Sequence, residues 1–239
     1  MRFRRLVARL TFTLSILITL GSVYANAQAP NSSDASTFRV GLKSVVVGSP
    51  STDLVEPGSD FRVIFEVFVP TTNRLVAAFL LPEELRATLK GTTPLSRYAF
   101  VQVPRRAEFA AVTPEIFKQI AGSMGQEFAA SMDTAVKDSQ DEMNRRLKAL
   151  NANPTTLTLD KPLMLGSFFS KPDAVGFGSV MPYDVNGKMV KLAAAVSVVR
   201  VQERVLFLYL YTIYKDQESV NWVRTTSEKW ADTILAANR

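Results

Sequence analysis

The strongest hydrophobic patterns lie at the C-terminal end of the chain. Met189 to Val201 (MVKLAAAVSVVRV) and Val205 to Tyr214 (VLFLYLYTIY) are apolar runs separated by Gln202-Glu203-Arg204, which predicts an antiparallel hairpin. In the second run Phe207, Tyr209 and Tyr211 point one way and Leu206, Leu208 and Leu210 the other, because side chains alternate across a strand. Both sides are apolar, so this strand is expected inside a sheet covered on both faces. The segment Glu218 to Asn238 supplies one cover. At about 100° per residue, Val220, Trp222, Val223, Trp230, Ala231 and Ile234 gather on one half of a helix. Arg224, Glu228, Lys229 and Asp232 gather on the other half.

Upstream, Phe38 to Val47 reads as one strand, and Gly48 to Asp60 as a loop. Phe61 to Val69 alternates, with Phe61, Val63, Phe65, Val67 and Val69 on one side, and predicts a strand. Thr71 to Arg74 then turns the chain into Leu75 to Leu81, its expected hairpin partner. Pro82-Glu83-Glu84-Leu85 fits a short helical turn, and Tyr98 to Val103 a further strand stopped by Pro104. Thr113-Pro114-Glu115 combines an N-cap, a proline at the first helical position and an acid near the positive end of the helix dipole. A long middle helix is expected from there towards Leu150, with Phe117, Ala121, Met124, Phe128, Ala135, Met143, Leu147 and Leu150 as its apolar stripe. Thr155 to Leu159, Met164 to Phe169 and Val175 to Met181 are strands, and Asp184-Val185-Asn186-Gly187 is a tight reversal. The order of strands, long helix, strands and terminal helix gives an α+β fold. Its sheet is largely antiparallel, with a long middle helix and a C-terminal helix packed on the sheet.

The first residues change the reading of charge and place. Arg2, Arg4, Arg5 and Arg9 precede an apolar stretch from Leu10 to Tyr24, and Ala25-Asn26-Ala27 is a small-x-small cleavage site. A span needs roughly twenty apolar residues, and this stretch is shorter. Residues 1–27 are therefore expected to be a cleaved signal peptide, with 28–37 a polar tail and 38–239 a single domain whose core covers about 61–238. The expected location is periplasmic or secreted, with no stable membrane anchor after cleavage. The leader takes four arginines and no acid, so 24 basic residues then face 22 acidic ones and the net charge falls from +6 to +2. That balance gives no case for nucleic acid as a partner.

The chain has neither cysteine nor histidine. It cannot form a disulfide, a lipid-anchored cysteine, a Ser-His-Asp triad or a histidine-containing zinc site. Ala121-Gly122-Ser123-Met124-Gly125 approaches a nucleophile elbow, but it sits within a helical pattern and lacks a histidine base. Gly176-Phe177-Gly178 and Asn186-Gly187-Lys188 fall short of phosphate-binding loops and read as strand and turn glycines. Carboxylate chemistry survives these exclusions. The acid clusters are Glu83-Glu84 and Asp138, Asp141 and Glu142, each expected on a solvated surface beside basic residues. Arg105-Arg106 is expected as loop charge. No catalytic, cofactor-binding or metal-ligating residue is assigned.

In the layout of strands, the helix opening at Thr113-Pro114-Glu115, the antiparallel run and the closing helix, residues 61–238 resemble the PsbP/Mog1-like fold family. The closing stretch from Arg204 to Asn238 also resembles exported bacterial proteins of uncharacterised role. The resemblance implies an accessory or assembly factor that works by binding, and it transfers no functional residue. A soluble exported bacterial protein is thus expected, acting as a non-enzymatic binding module of the cell envelope on a protein partner or a small apolar ligand. The competing expectations are a carboxylate-dependent envelope hydrolase and a carrier holding a small apolar ligand between the long helix and the aromatic sheet face.

Overall fold

A computed structural model describes residues 35–58, 62, 65–66, 69–84, 95–124, 140–142, 144–145, 157–185 and 187–239. The leader and nearly all of the polar tail lie outside these residues.

Nine strands are described. β1 (Ser36–Val40) and β2 (Lys43–Val47) form a two-stranded hairpin. The main sheet holds β3 (Asn73–Leu80), β4 (Arg97–Pro104), β5 (Leu157–Leu159), β6 (Leu163–Lys171), β7 (Ala174–Val185), β8 (Lys188–Val201) and β9 (Arg204–Ile213). Its order is β3-β4-β9-β8-β7, after which β5 and β6 share the outer edge of β7, and every pairing is antiparallel.

β9 lies between β4 and β8, as its two apolar faces require. Phe207, Tyr209 and Tyr211 join Tyr98 and Phe100 in one core, where Tyr98 stacks on Tyr211 with ring centroids 4.8 Å apart. Leu206, Leu208 and Leu210 join a second core on the opposite face. A helix over residues 114–124 covers the aromatic core with Phe117, Ile120 and Met124. Thr113 caps it, its hydroxyl accepting from the Ile116 amide at 3.3 Å.

The C-terminal helix (Gln217–Ala237) covers the leucine core with Val220, Val223, Trp230, Ala231 and Ile234. Asp216 caps its start, accepting from the amides of Glu218 and Ser219 at 2.9 and 3.2 Å. The β1–β2 hairpin lies beside it on the same face. At the helix end, the Asn238 side chain bonds both the amide and the carbonyl of Val46, at 2.8 and 2.7 Å.

Four expectations need correction. Phe38 to Val47 is two strands, because Gly41 takes a left-handed φ of +57° and reverses the chain there. β1 also begins at Ser36, inside the stretch expected as tail. Phe61 to Val69 is expected as a strand, but of its described residues Arg62, Phe65 and Glu66 are helical. The sequence there also fits a 3.6-residue period, since Arg62 and Glu66 pair across one turn at 3.6 Å while Phe65 and Val69 enter the aromatic core. Consequently β3 finds its partner in β4 rather than in the preceding segment. Of the long middle helix, residues 114–124, 140–142 and 144–145 are helical, and residues 125–139, 143 and 146–156, with Phe128, Ala135, Met143, Leu147 and Leu150, lie outside the described residues.

Candidate functional site

Ser123 is on the helix over 114–124, and its hydroxyl donates back to the Ile120 carbonyl at 3.1 Å. It therefore has the helical setting expected of it and no elbow. Gly176 and Gly178 are strand residues with the rings of Phe169 and Phe168 directly over them, where a phosphate would have to sit. Gly187 makes the reversal with φ +83°, and its amide donates to Asp184 Oδ1 at 2.8 Å; Asn186 lies outside the described residues. Asp141 is exposed and Glu142 half-buried, while Asp138 is outside the described residues. Among the described residues, no three acids gather to hold a metal ion.

Glu84 departs from expectation. Its neighbour Glu83 is solvated, but Glu84 is only 7% exposed. Pro82 to Glu84 form the expected helical turn, and that turn aims Glu84 at the start of β4. There its oxygens accept from the amides of Ser96 at 2.7 Å and Arg97 at 3.5 Å. Burial pushes its carboxyl above the usual range, against the opposing pull of the Ser96 and Arg97 bonds. The folded state thus holds this proton more tightly than the unfolded one. Glu84 therefore adds stability below its ordinary pKa of 4.5, and that stability is lost as pH rises through the raised value. Glu84→Gln keeps one of the two acceptor oxygens and removes the titration. Denaturant melts should show the variant gaining on the parent as pH rises from about 4 to 7, with a flat difference below that. A difference that did not change with pH would refute the assignment.

Burial pushes the phenols of Tyr98 and Tyr183 up, the latter to about 12, so both stay protonated at neutral pH.

One end of the sheet has a different character. The β1–β2 turn, the loop 105–111 after β4, and the β8–β9 turn at Gln202 and Glu203 meet there. Gly41 is buried against the loop: a methyl placed on it would lie 2.4 Å from the Glu108 carbonyl oxygen and 3.3 Å from the Phe109 Cα. The Gly41 amide donates to Glu108 Oε1 at 3.3 Å. Arg74 fixes the same carboxylate, its Nε donating to both oxygens at 3.0 and 3.2 Å and its Nη2 to the Arg39 carbonyl at 2.7 Å. That guanidinium holds the Glu108 carboxyl below the usual range. Buried Arg204 donates to the Ala110 carbonyl at 2.9 Å, and the Val112 amide to the Glu203 carbonyl at 2.9 Å. This tight packing leaves the side chains next to Gly41 and Glu108 outside. Leu42 is 72% and Phe109 67% exposed, the two most exposed large apolar side chains among the described residues. Arg105 and Arg106 are exposed on the loop after β4, and Arg39 is exposed near the end of β1.

No protein-family model matches this sequence, and no curated protein does. Two solved structures are similar to it in fold. One, a point mutant of the protein Mog1, is 11% identical with a TM-score of 0.31, over 86% of this chain and 93% of that one. The other, the Saccharomyces cerevisiae Ran-binding protein Mog1p, is 10% identical with a TM-score of 0.28, over 87% of this chain and 93% of that one. Both are likenesses of layout, and neither carries a residue role to this chain.

Sequence reasoning missed the loop end because Phe38 to Val47 looked continuous, which hid Leu42 inside a strand. Gly41, the one glycine in that run, was the available signal. Phe109 stands among Arg105, Arg106, Glu108 and alanines, and sequence alone does not say that such a phenylalanine faces water.

Proposed function

We propose that this protein is an exported, non-enzymatic accessory or assembly module of the bacterial cell envelope. It works by binding, and its contact surface is the loop end carrying Leu42 and Phe109. One observation carries this reading. Two large apolar side chains on separate loops stand in water while the backbone beside them is packed tightly, Gly41 against Glu108 and Phe109, although single exposed apolar residues need no explanation. The basic leader with its Ala25-Asn26-Ala27 site supports export. The rival, carboxylate hydrolysis, draws on buried Glu84. Both oxygens of Glu84 are already engaged by backbone amides, as a structural carboxylate requires.

The test uses Leu42→Ser with Phe109→Ser in the producing cell. Both positions are exposed, so stability should stay within about 0.5 kcal/mol of the parent. The variant should still reach the soluble envelope fraction, with a mature chain beginning at Gln28 by mass spectrometry. It should nevertheless fail to relieve the defect of a deletion strain. Recovery of parent protein only in membranes with Arg2 to Arg9 retained would refute export, and full relief by the variant would refute the site.

A further inference from the structure

We propose that the occupant of the loop end is an anionic lipid bilayer surface, which Leu42 and Phe109 enter and which the cations around them hold. This rests on the binding reading above and names its partner.

The apolar area available is small. Two side chains of this size present roughly 300 Å² together, whereas a stable protein interface covers about 800 Å² on each partner. A bilayer surface makes no such demand, because isolated apolar tips can enter the headgroup boundary while the rest of the protein stays in water. The tips are also pre-set. Gly41 lies against the backbone of Glu108 and Phe109, and Arg204 holds the Ala110 carbonyl, so neither loop must be ordered on contact.

Charge complementarity selects the sign of the surface. Arg105 and Arg106 are exposed on the loop after β4, Arg39 is exposed on β1, and Lys43 is half-buried at the start of β2. Glu108 is already taken by Arg74, and the exposed acid of the β8–β9 turn, Glu203, lies 3.9 Å from Lys43. The loops therefore present an excess of positive charge around two apolar tips, the arrangement that binds anionic headgroups. The contact proposed is peripheral; among the described residues no helix is long and apolar enough to cross a membrane.

The probe is vesicle co-sedimentation of the mature protein with phosphatidylglycerol-containing vesicles and with pure phosphatidylcholine vesicles. Binding should favour the anionic vesicles at least about tenfold and weaken at high salt. Leu42→Ser with Phe109→Ser should weaken it about tenfold or more. Arg105→Gln with Arg106→Gln should weaken it by about fivefold per charge. Both variants should keep the parent's melting temperature. Absence of binding, equal binding to both vesicles, or binding untouched by either pair would overturn the proposal. If vesicles do not bind but the serine pair still fails in the cell, the partner is a protein and only the membrane assignment falls. If vesicles do not bind and the serine pair is fully active, the loop end is not the contact surface and both readings fall.

Discussion

Trp230→Ala is expected to cost about 3–5 kcal/mol, a large share of the roughly 5–15 kcal/mol margin of a folded domain. The indole is 1% exposed, sits edge-on to Phe79 with ring centroids 6.0 Å apart, and donates its N–H to the Gly48 carbonyl at 2.8 Å. Truncation would leave a large cavity between the C-terminal helix and the leucine face of the sheet. It would also remove the tie between the helix and the loop after β2, leaving the Gly48 carbonyl without this donor. Lys229→Ala, one residue earlier and exposed, should stay within about 0.5 kcal/mol. Denaturant melts of the two variants check this directly. Similar losses would mean that the helix does not present the face described here.

The second large effect concerns glycines of opposite setting. A methyl on Gly178 would fall 1.8 Å from Phe168 Cζ, so the ring must move. It has little freedom to do so, being half-buried against the leucine core with the Arg224 guanidinium 4.8 Å from its centroid. Two bulges in β6, one between Ser167 and Phe169, bring the Phe168 and Phe169 rings over Gly178 and Gly176. Lys171 then anchors that strand to Glu228 and Asp232 of the C-terminal helix at 3.0 and 2.7 Å. Gly178→Ala should therefore destabilise by about 1–3 kcal/mol through overpacking. Gly122→Ala, on an exposed helical position with open space around it, should stabilise by about 0.5–1 kcal/mol. The same sign for both in thermal melts would contradict this packing.

Much of the architecture was legible because a few segments allow one period only. β9 alternates aromatic and leucine residues over its length, and that settled its central place and both of its faces. The C-terminal helix has one apolar half, and the structure buries it with Ser227 added, except that Trp222 is only half-buried. Failure came where two periods fit one segment. Phe61 to Val69 satisfies both the two-residue and the 3.6-residue pattern, and its described residues Arg62, Phe65 and Glu66 follow the helical one. Glu84 was misplaced for a related reason. Sequence shows an acid in a first helical turn, whereas the fold folds that turn onto the Ser96 and Arg97 amides and takes it out of water. The loop end was hidden because it depends on contact between residues 41–42 and 108–109, which are far apart in the chain.

Binding through the loop end and carboxylate chemistry predict opposite outcomes in one side-by-side measurement. A deletion strain would receive the parent, Leu42→Ser with Phe109→Ser, or Glu84→Gln. Each would be scored for folded, exported protein and for relief of the deletion defect. The binding account predicts that Glu84→Gln relieves the defect like the parent, while the serine pair is folded and exported yet fails. A folded Glu84→Gln that fails beside a serine pair that succeeds would contradict it and put an acid at the centre of the function.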